Sequence, residues 1–100
     1  MANFSEEEIQ KVWEKGIVKS GYNPIIYRFD MCGALMKRDK YGNRDDNFGW
    51  EIDHIIPESK GGKNSIENLQ PLQWQNNLAK SNSKDDSDFC FVSFTPNKQV

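Results

Sequence analysis

Residues 50–57 read WEIDHIIP and carry the most informative chemistry in the chain. They place the single histidine, His54, directly after a carboxylate, Asp53, among isoleucines. The isoleucines predict an extended segment anchored in the core, which keeps a neighbouring catalytic side chain in one rotamer. Pro57 ends the segment because proline lacks a backbone N–H and biases the residue before it away from helix. A lone histidine can be structural or catalytic, so the sequence around it has to distinguish these two roles.

Polar residues follow this segment at defined distances. Asn68 lies 14 positions after His54, and Asn77 lies 23 positions after it. Residues 74–80 have a helical pattern, in which asparagine is a weak helix former. Lys80 shares a helix face with Asn77, because the two are three residues apart. An asparagine and a lysine on one helix face can meet the same phosphate.

The rest of the chain predicts a single α+β domain over residues 1–100, with its core at residues 48–82. Ser5 and Glu8 form a capping box that predicts a helix over residues 5–15. Short strands are expected at residues 25–29 and 34–36, with residues 48–56 extended. Residues 89–94 are a further strand candidate with Phe89, Phe91 and Ser93 on one face, after an acidic linker at residues 81–88.

Composition excludes several classes of protein. The 100 residues contain 13 Lys and Arg against 15 Asp and Glu, and a net charge of −2 excludes a generic polycation. No apolar run approaches the roughly 20 residues of a membrane span, and no secretory signal is visible, so no membrane association and a cytoplasmic location are expected. A single histidine excludes two-histidine metal sites.

The two cysteines, Cys32 and Cys90, lie 58 positions apart and neither belongs to a C-x-x-C pair. One disulfide between them is formally possible. Without a secretory signal, two reduced thiols in a reducing cytoplasm are the expectation.

Four elements together resemble the HNH endonuclease superfamily, in its small bacterial or phage form. These are residues 53–57, 59–62, 68–69 and 77–80. The resemblance implies a ββα-metal core, in which a two-stranded hairpin and a helix clasp one divalent cation. It places His54 at the end of the first strand, Asn68 in or near the second strand and Asn77 on the helix.

The resemblance also implies a role for each residue. His54 matches the general base that takes a proton from the attacking water, a task suited to the side chain that titrates near neutral pH. Asp53 and Asn77 match the metal ligands, with Asn77 favoured over Asn76 because Lys80 follows it at the family's spacing. Asn68 matches the residue that braces the histidine loop, and Lys80 matches a basic phosphate contact.

Oxygen ligands without a second histidine favour a hard cation, Mg²⁺ or Mn²⁺. No structural zinc is expected, because Gln73 and Asn76 stand where many members of the superfamily have cysteines. The N-terminal helix and the tryptophans are expected to supply the packing that a structural zinc site provides in those members. One difficulty is that adjacent strand residues face opposite sides, so Asp53 and His54 share a site only if the strand bends or ends there, or if the phosphate lies between them.

The expected partner is nucleic acid, with double-stranded DNA as substrate and a basic rim around the site. The rim candidates are Arg38, Arg44, Lys60, Lys63, Arg28, Lys37 and Lys40. No recognition helix is evident, so nicking with low sequence specificity is the leading hypothesis. The alternatives are a catalytically silent HNH domain that binds DNA or a protein, and a toxin-like nuclease neutralised by an acidic partner.

Overall fold

A computed structural model describes residues 3–83, 89–93 and 98–99, and within these the chain is α+β, as predicted. The strands form three antiparallel pairs, β1 with β2, β3 with β4 and β5 with β6. The helices and strands are α1 (Glu6–Trp13), β1 (Tyr27–Phe29), β2 (Leu35–Lys37), β3 (Trp50–His54), β4 (Leu69–Gln73), α2 (Trp74–Ser81), β5 (Val92–Ser93) and β6 (Lys98–Gln99). None of the helices in this part of the chain is long and apolar enough to cross a membrane.

Helix α1 begins at the predicted capping box. The Ser5 hydroxyl accepts from the backbone N–H of Glu8, and the Glu8 carboxylate accepts from the backbone N–H of Ser5. The helix buries Ile9, Val12 and Trp13. The Trp13 ring packs 5.2 Å from the ring of Trp50, so α1 is attached to the central hairpin by aromatic contact.

The β3–β4 hairpin and α2 form the centre of the molecule. Trp50 pairs with Gln73 at one end of the hairpin, and His54 pairs with Leu69 at the other. Helix α2 begins at the residue after β4, so strand and helix are joined without a linker. The hairpin is fixed to the core by Trp50 and Leu72, which are fully buried.

A buried carboxylate, that of Asp30, connects the other segments to this centre. Its Oδ1 accepts from the backbone N–H groups of Cys32 and Ala34 at 2.9 and 2.8 Å. Its Oδ2 accepts from the backbone N–H of Gln73 and from Asn76 Nδ2, both at 3.0 Å. Burial raises the pKa of Asp30, although all four of these donors act to lower it. At Gln73 and Asn76, the positions where many members of the superfamily have cysteines, the chain has this hydrogen-bond network to Asp30.

The expectation of two reduced thiols is wrong, because Cys32 and Cys90 form a disulfide. Their Cα atoms are 5.6 Å apart. The chain brings them together through Asn76, which donates to Asp30 and to the carbonyl of Val92 from the same amide nitrogen. The segment before β5 therefore lies against the β1–β2 turn, a proximity that the separation in sequence does not reveal.

The predicted strand over residues 89–94 is also corrected. In the described part of this segment, residues 89–93, only Val92–Ser93 is a strand. Phe89 is buried and Phe91 is exposed, so the two phenylalanines do not share a face. The Asn76 side chain accepts from the backbone N–H groups of Phe91 and Val92 and so holds this segment against α2. Phe94 and most of the predicted acidic linker, residues 84–88, lie outside the described residues.

Replacing Asn76 by alanine should destabilise the fold by about 3 kcal/mol, because several buried polar groups lose their partner at once. The measurement is urea denaturation followed by tryptophan fluorescence. The matched control is Asn77→Ala, the same change at the next position, where one half-buried contact is lost and about 1 kcal/mol is expected. Equal losses for the two variants would contradict the structural role given to Asn76.

Candidate active site

A cleft of about 500 Å³ opens where the end of β3 faces helix α2. The loop after β3, with its short 3₁₀ turn Glu58–Lys60, closes one side. The lining residues are Ile52, Asp53, His54, Pro57, Glu58, Ser59, Lys60, Asn77, Lys80, Ser81 and Ser83. Five of the residues singled out in the sequence therefore line one cavity: Asp53, His54, Lys60, Asn77 and Lys80.

The strand ends at His54, which removes the difficulty of adjacent residues facing opposite sides. The chain bends at residues 55–56, directly after β3, so both Asp53 and His54 reach the cleft. Asp53 is 8% exposed, and its Oδ2 accepts from Nε2 of Gln70, the residue opposite it in the hairpin, at 2.9 Å. His54 is half-buried at the mouth of the cleft.

Lys80 differs from the phosphate contact that the sequence suggested. Its side chain is buried, and Nζ donates to Asp53 Oδ1 at 3.1 Å and to the carbonyl oxygen of His54 at 2.7 Å. The carbonyl of Ile55 lies 3.5 Å from the same nitrogen. Because an ammonium group has three protons, these contacts account for its hydrogen-bonding capacity. Lys80 thus fixes the end of β3 and neutralises Asp53.

The ring of His54 is oriented by Asn64, a loop residue that the sequence analysis did not select. His54 Nε2 lies in hydrogen-bond contact with Asn64 Oδ1. An amide oxygen only accepts, so a neutral imidazole that donates in this contact carries its proton on Nε2. The Phe4 ring lies 6.4 Å from the imidazole between ring centroids, with the two planes tilted by 46°. No signal marked Asn64, since polar loops commonly contain asparagine.

Asn68 clamps the loop that follows His54. Its Oδ1 accepts from the backbone N–H of Ile56 at 2.8 Å, and its Nδ2 donates to the carbonyls of Ile56 and Lys63 at 3.0 and 2.9 Å. Gly62 lies against the same carbonyl, and a Cβ atom there would come within 1.6 Å of the Ile56 oxygen. The loop can close in this way only with glycine at position 62.

The two neighbouring asparagines, Asn76 and Asn77, differ in burial. Asn76 is fully buried in the Asp30 network, whereas Asn77 is half-buried and lines the cleft. Asn77 Nδ2 donates to Glu51 Oε1 at 2.7 Å. An ionised carboxylate only accepts, so Glu51 fixes which end of the amide faces it and turns Asn77 Oδ1 away from it.

Glu51 is in turn paired with Arg44 through two hydrogen bonds of 2.7 and 2.9 Å. Burial alone would raise the pKa of Glu51, but the hydrogen bonds from Arg44 and Asn77 and the charge of Arg44 lower it overall. Its carboxylate raises the pKa of Arg44. The sequence analysis missed Glu51, although it stands two residues before Asp53 and therefore on the same strand face.

The expected basic rim is only partly directed at the cleft. Arg44 is occupied by Glu51, and Arg38 contacts Gln10 and Glu6 on α1. Lys60 lines the cleft, and Lys63 is exposed on the loop that Asn68 clamps. Of these four rim candidates, only Lys60 lines the cleft.

The cleft offers a divalent cation few protein ligands, and the Lys80 ammonium already contacts one of them, Asp53. Among the described residues, no group of three or more His, Cys, Asp or Glu side chains could hold a metal. Asp53 and Asn77 supply oxygen atoms to one cleft, and a carboxylate that accepts one hydrogen bond per oxygen keeps further lone pairs. A hard cation such as Mg²⁺ takes such a pair and completes its shell with water and phosphate oxygens.

The hairpin, the helix and the positions of these side chains define a nuclease fold of the ββα type. A family model described as HNH endonuclease matches residues 31–83, more than half of the chain, and the chain belongs to this family. HNH nucleases generally use a divalent metal and act on nucleic acid. No curated protein and no solved structure matches the chain.

Replacing Asn68 by alanine should open the histidine loop, because three hydrogen bonds to the backbone are lost together. The backbone N–H of Ile56 should then exchange with solvent about tenfold faster or more, as expected for a loss of at least 1.4 kcal/mol. Hydrogen exchange by NMR measures this directly. The amide protons of α1 are the internal control, and uniform acceleration there would indicate general destabilisation instead.

The lowered pKa of Glu51 predicts a defined pH dependence. The stabilisation it contributes is present above the pKa of the unfolded chain, about 4.5, and is lost as pH falls through the lower pKa of the folded state. Arg44→Gln should move the midpoint of Glu51 titration upward, because both a donor and a positive charge are removed. Carboxyl-selective ¹³C NMR measures the midpoint, and an unchanged value would contradict the pairing.

Proposed function

We propose that the chain is a metal-dependent endonuclease that hydrolyses phosphodiester bonds of DNA. The observation that carries the proposal is that one cleft brings together His54, Asp53 and Asn77 at the end of a hairpin braced by Asn68. A base and two oxygen ligands in one cavity are the groups that single-metal phosphodiester hydrolysis requires.

His54 is the general base in this proposal. Nδ1 takes a proton from water while the water oxygen forms a bond to phosphorus, and the phosphorus bond to the leaving oxygen breaks. The leaving oxygen is then protonated from solvent. The contact of Nε2 with Asn64 Oδ1 supports this role, because a ring that donates from Nε2 leaves Nδ1 to accept the proton.

Asp53 and Asn77 are proposed to hold Mg²⁺ or Mn²⁺. The bound cation would act as a Lewis acid that stabilises charge on the phosphate and the leaving oxygen. Lys80 and Gln70 fix the Asp53 carboxylate, and Glu51 fixes the Asn77 amide. The ligand atoms are therefore preorganised by contacts to neighbouring side chains.

The proposed substrate is double-stranded DNA, nicked with little sequence specificity. Lys60 and Lys63 provide phosphate contacts beside the cleft, and such contacts position a duplex without reading its sequence. A cytoplasmic location stays a prediction. The Cys32–Cys90 disulfide argues against it, because disulfides persist mainly in oxidising compartments.

A catalytically silent HNH domain is the second candidate. The contact between Lys80 and Asp53 favours it, because the ammonium already neutralises the carboxylate that would bind the cation. Such a domain would bind nucleic acid or a protein partner without cleavage. The toxin-like nuclease with an acidic partner stays a prediction.

Incubation with supercoiled plasmid and Mg²⁺ or Mn²⁺ should give nicked circles, and EDTA should stop the reaction. His54→Ala should reduce the rate about 100-fold or more, as expected for loss of a general base. Asn77→Ala should require more metal for the same rate. Gel electrophoresis of the plasmid forms measures both effects.

The matched control is Asn82→Ala, an exposed position just after α2, which should nick like the native chain. Identical products from the native chain and His54→Ala would contradict the enzymatic role. EDTA-insensitive DNA binding without cleavage under any metal would favour the silent domain instead.

A further inference from the structure

A second cleft of about 400 Å³ lies on the other side of His54. It shares part of its wall with the first cleft, so the two cavities meet at His54, the proposed general base, and at Asn77, a proposed metal ligand. The shared residues are Ile52, His54, Glu58 and Asn77, and the residues particular to the second cleft are Phe4, Tyr41, Gly42, Arg44 and Glu51. The second cleft therefore begins directly beside His54, where the proposed function places the scissile phosphate.

Two aromatic side chains line the second cleft and are held in place by packing. The Phe4 ring lies 6.4 Å from the His54 ring. The Tyr41 ring meets Trp50 edge-on, with 5.0 Å between the ring centroids. Both side chains are half-buried, so each is fixed by the core while part of its surface faces the cavity. Fixed aromatic rings of this kind are stacking platforms for nucleobases.

The charge of the second cleft argues against a phosphate as its occupant. Arg44 is paired with Glu51, and Glu58 adds a further carboxylate, so acidic side chains outnumber basic ones in the lining. The pKa of Tyr41 is raised by burial and then by the carboxylates of Glu51 and Glu6, which indicates the same negative potential. A neutral base with exocyclic amino groups suits aromatic rings beside carboxylate acceptors.

We propose that the second cleft binds the nucleobase next to the scissile phosphate, stacked on Tyr41 and Phe4. This inference rests on the proposed function, because it takes the scissile phosphate to lie at His54. A base can enter the cleft only after it leaves the helical stack. The chain therefore acts preferentially where a nucleotide is unpaired, mismatched or loosened by negative supercoiling, since extrusion is easiest there.

Base stacking is tested directly with 2-aminopurine placed at successive positions around the single mismatch of a short duplex, which fixes where the chain binds, and bound to His54→Ala. Fluorescence should fall at one position only, and Tyr41→Leu in the same background should abolish that fall and weaken binding about tenfold, as expected for one stacked base. Tyr27→Leu, the same change on β1 outside the cleft, is the matched control. Equal fluorescence at every position in His54→Ala itself would overturn the proposal.

The catalytic consequence is tested with the native chain on duplexes that differ by a single mismatch. The phosphodiester beside the mismatch should be cut about tenfold faster than in the fully paired duplex, and Tyr41→Leu should remove that preference. Phe4→Leu is a second variant if Tyr41→Leu does not fold. Cleavage without mismatch preference and without fluorescence loss would overturn the base site but leave the nuclease standing. Fluorescence loss at one position without cleavage under any metal would support the base site and refute the nuclease.

Discussion

The buried carboxylate of Asp30 is the interaction on which the rest of the structure depends. It accepts hydrogen bonds from the β1–β2 turn, from the end of β4 and from α2, so three segments meet at two oxygen atoms. Burying a carboxylate is costly unless it is fully hydrogen-bonded, and here four donors satisfy it. Asn76 extends the same network to the segment before β5, where the Cys32–Cys90 disulfide closes it covalently.

The site follows from this arrangement because α2 starts at the end of the hairpin. Asn76 faces the buried network, and the next residue, Asn77, lines the cleft, so one helix turn contacts both the core and the proposed site. Each of the two carboxylates of β3 beside the cleft is paired with a basic side chain. Lys80 pairs with Asp53. Arg44 pairs with Glu51, which also accepts from Asn77. Both proposed ligand side chains, Asp53 and Asn77, are therefore held by hydrogen bonds.

The two clefts on either side of His54 differ in chemistry. The first contains Asp53, Asn77 and Lys60 and suits a cation and a phosphate, whereas the second contains Phe4 and Tyr41 and suits a base. In the proposed complex, a backbone phosphate would occupy the first cleft and an adjacent base the second. The ring of His54, which contacts Asn64 and lies beside Phe4, stands between them.

The sequence by itself determined the family and the central unit, because a hairpin and the helix that follows it are local structures whose spacing is visible along the chain. The resemblance to the family placed His54 at the end of a strand, Asn68 in or near the next strand and Asn77 on the helix, and the structure has His54 at the end of β3, Asn68 just before β4 and Asn77 in α2. The tertiary structure alone decided the roles of Lys80, Arg44 and Glu51, because a charged side chain looks the same in sequence whether it meets a phosphate or another residue. It also decided the Asp30 network and the disulfide, since these join segments far apart in the chain and depend on packing that no local pattern encodes.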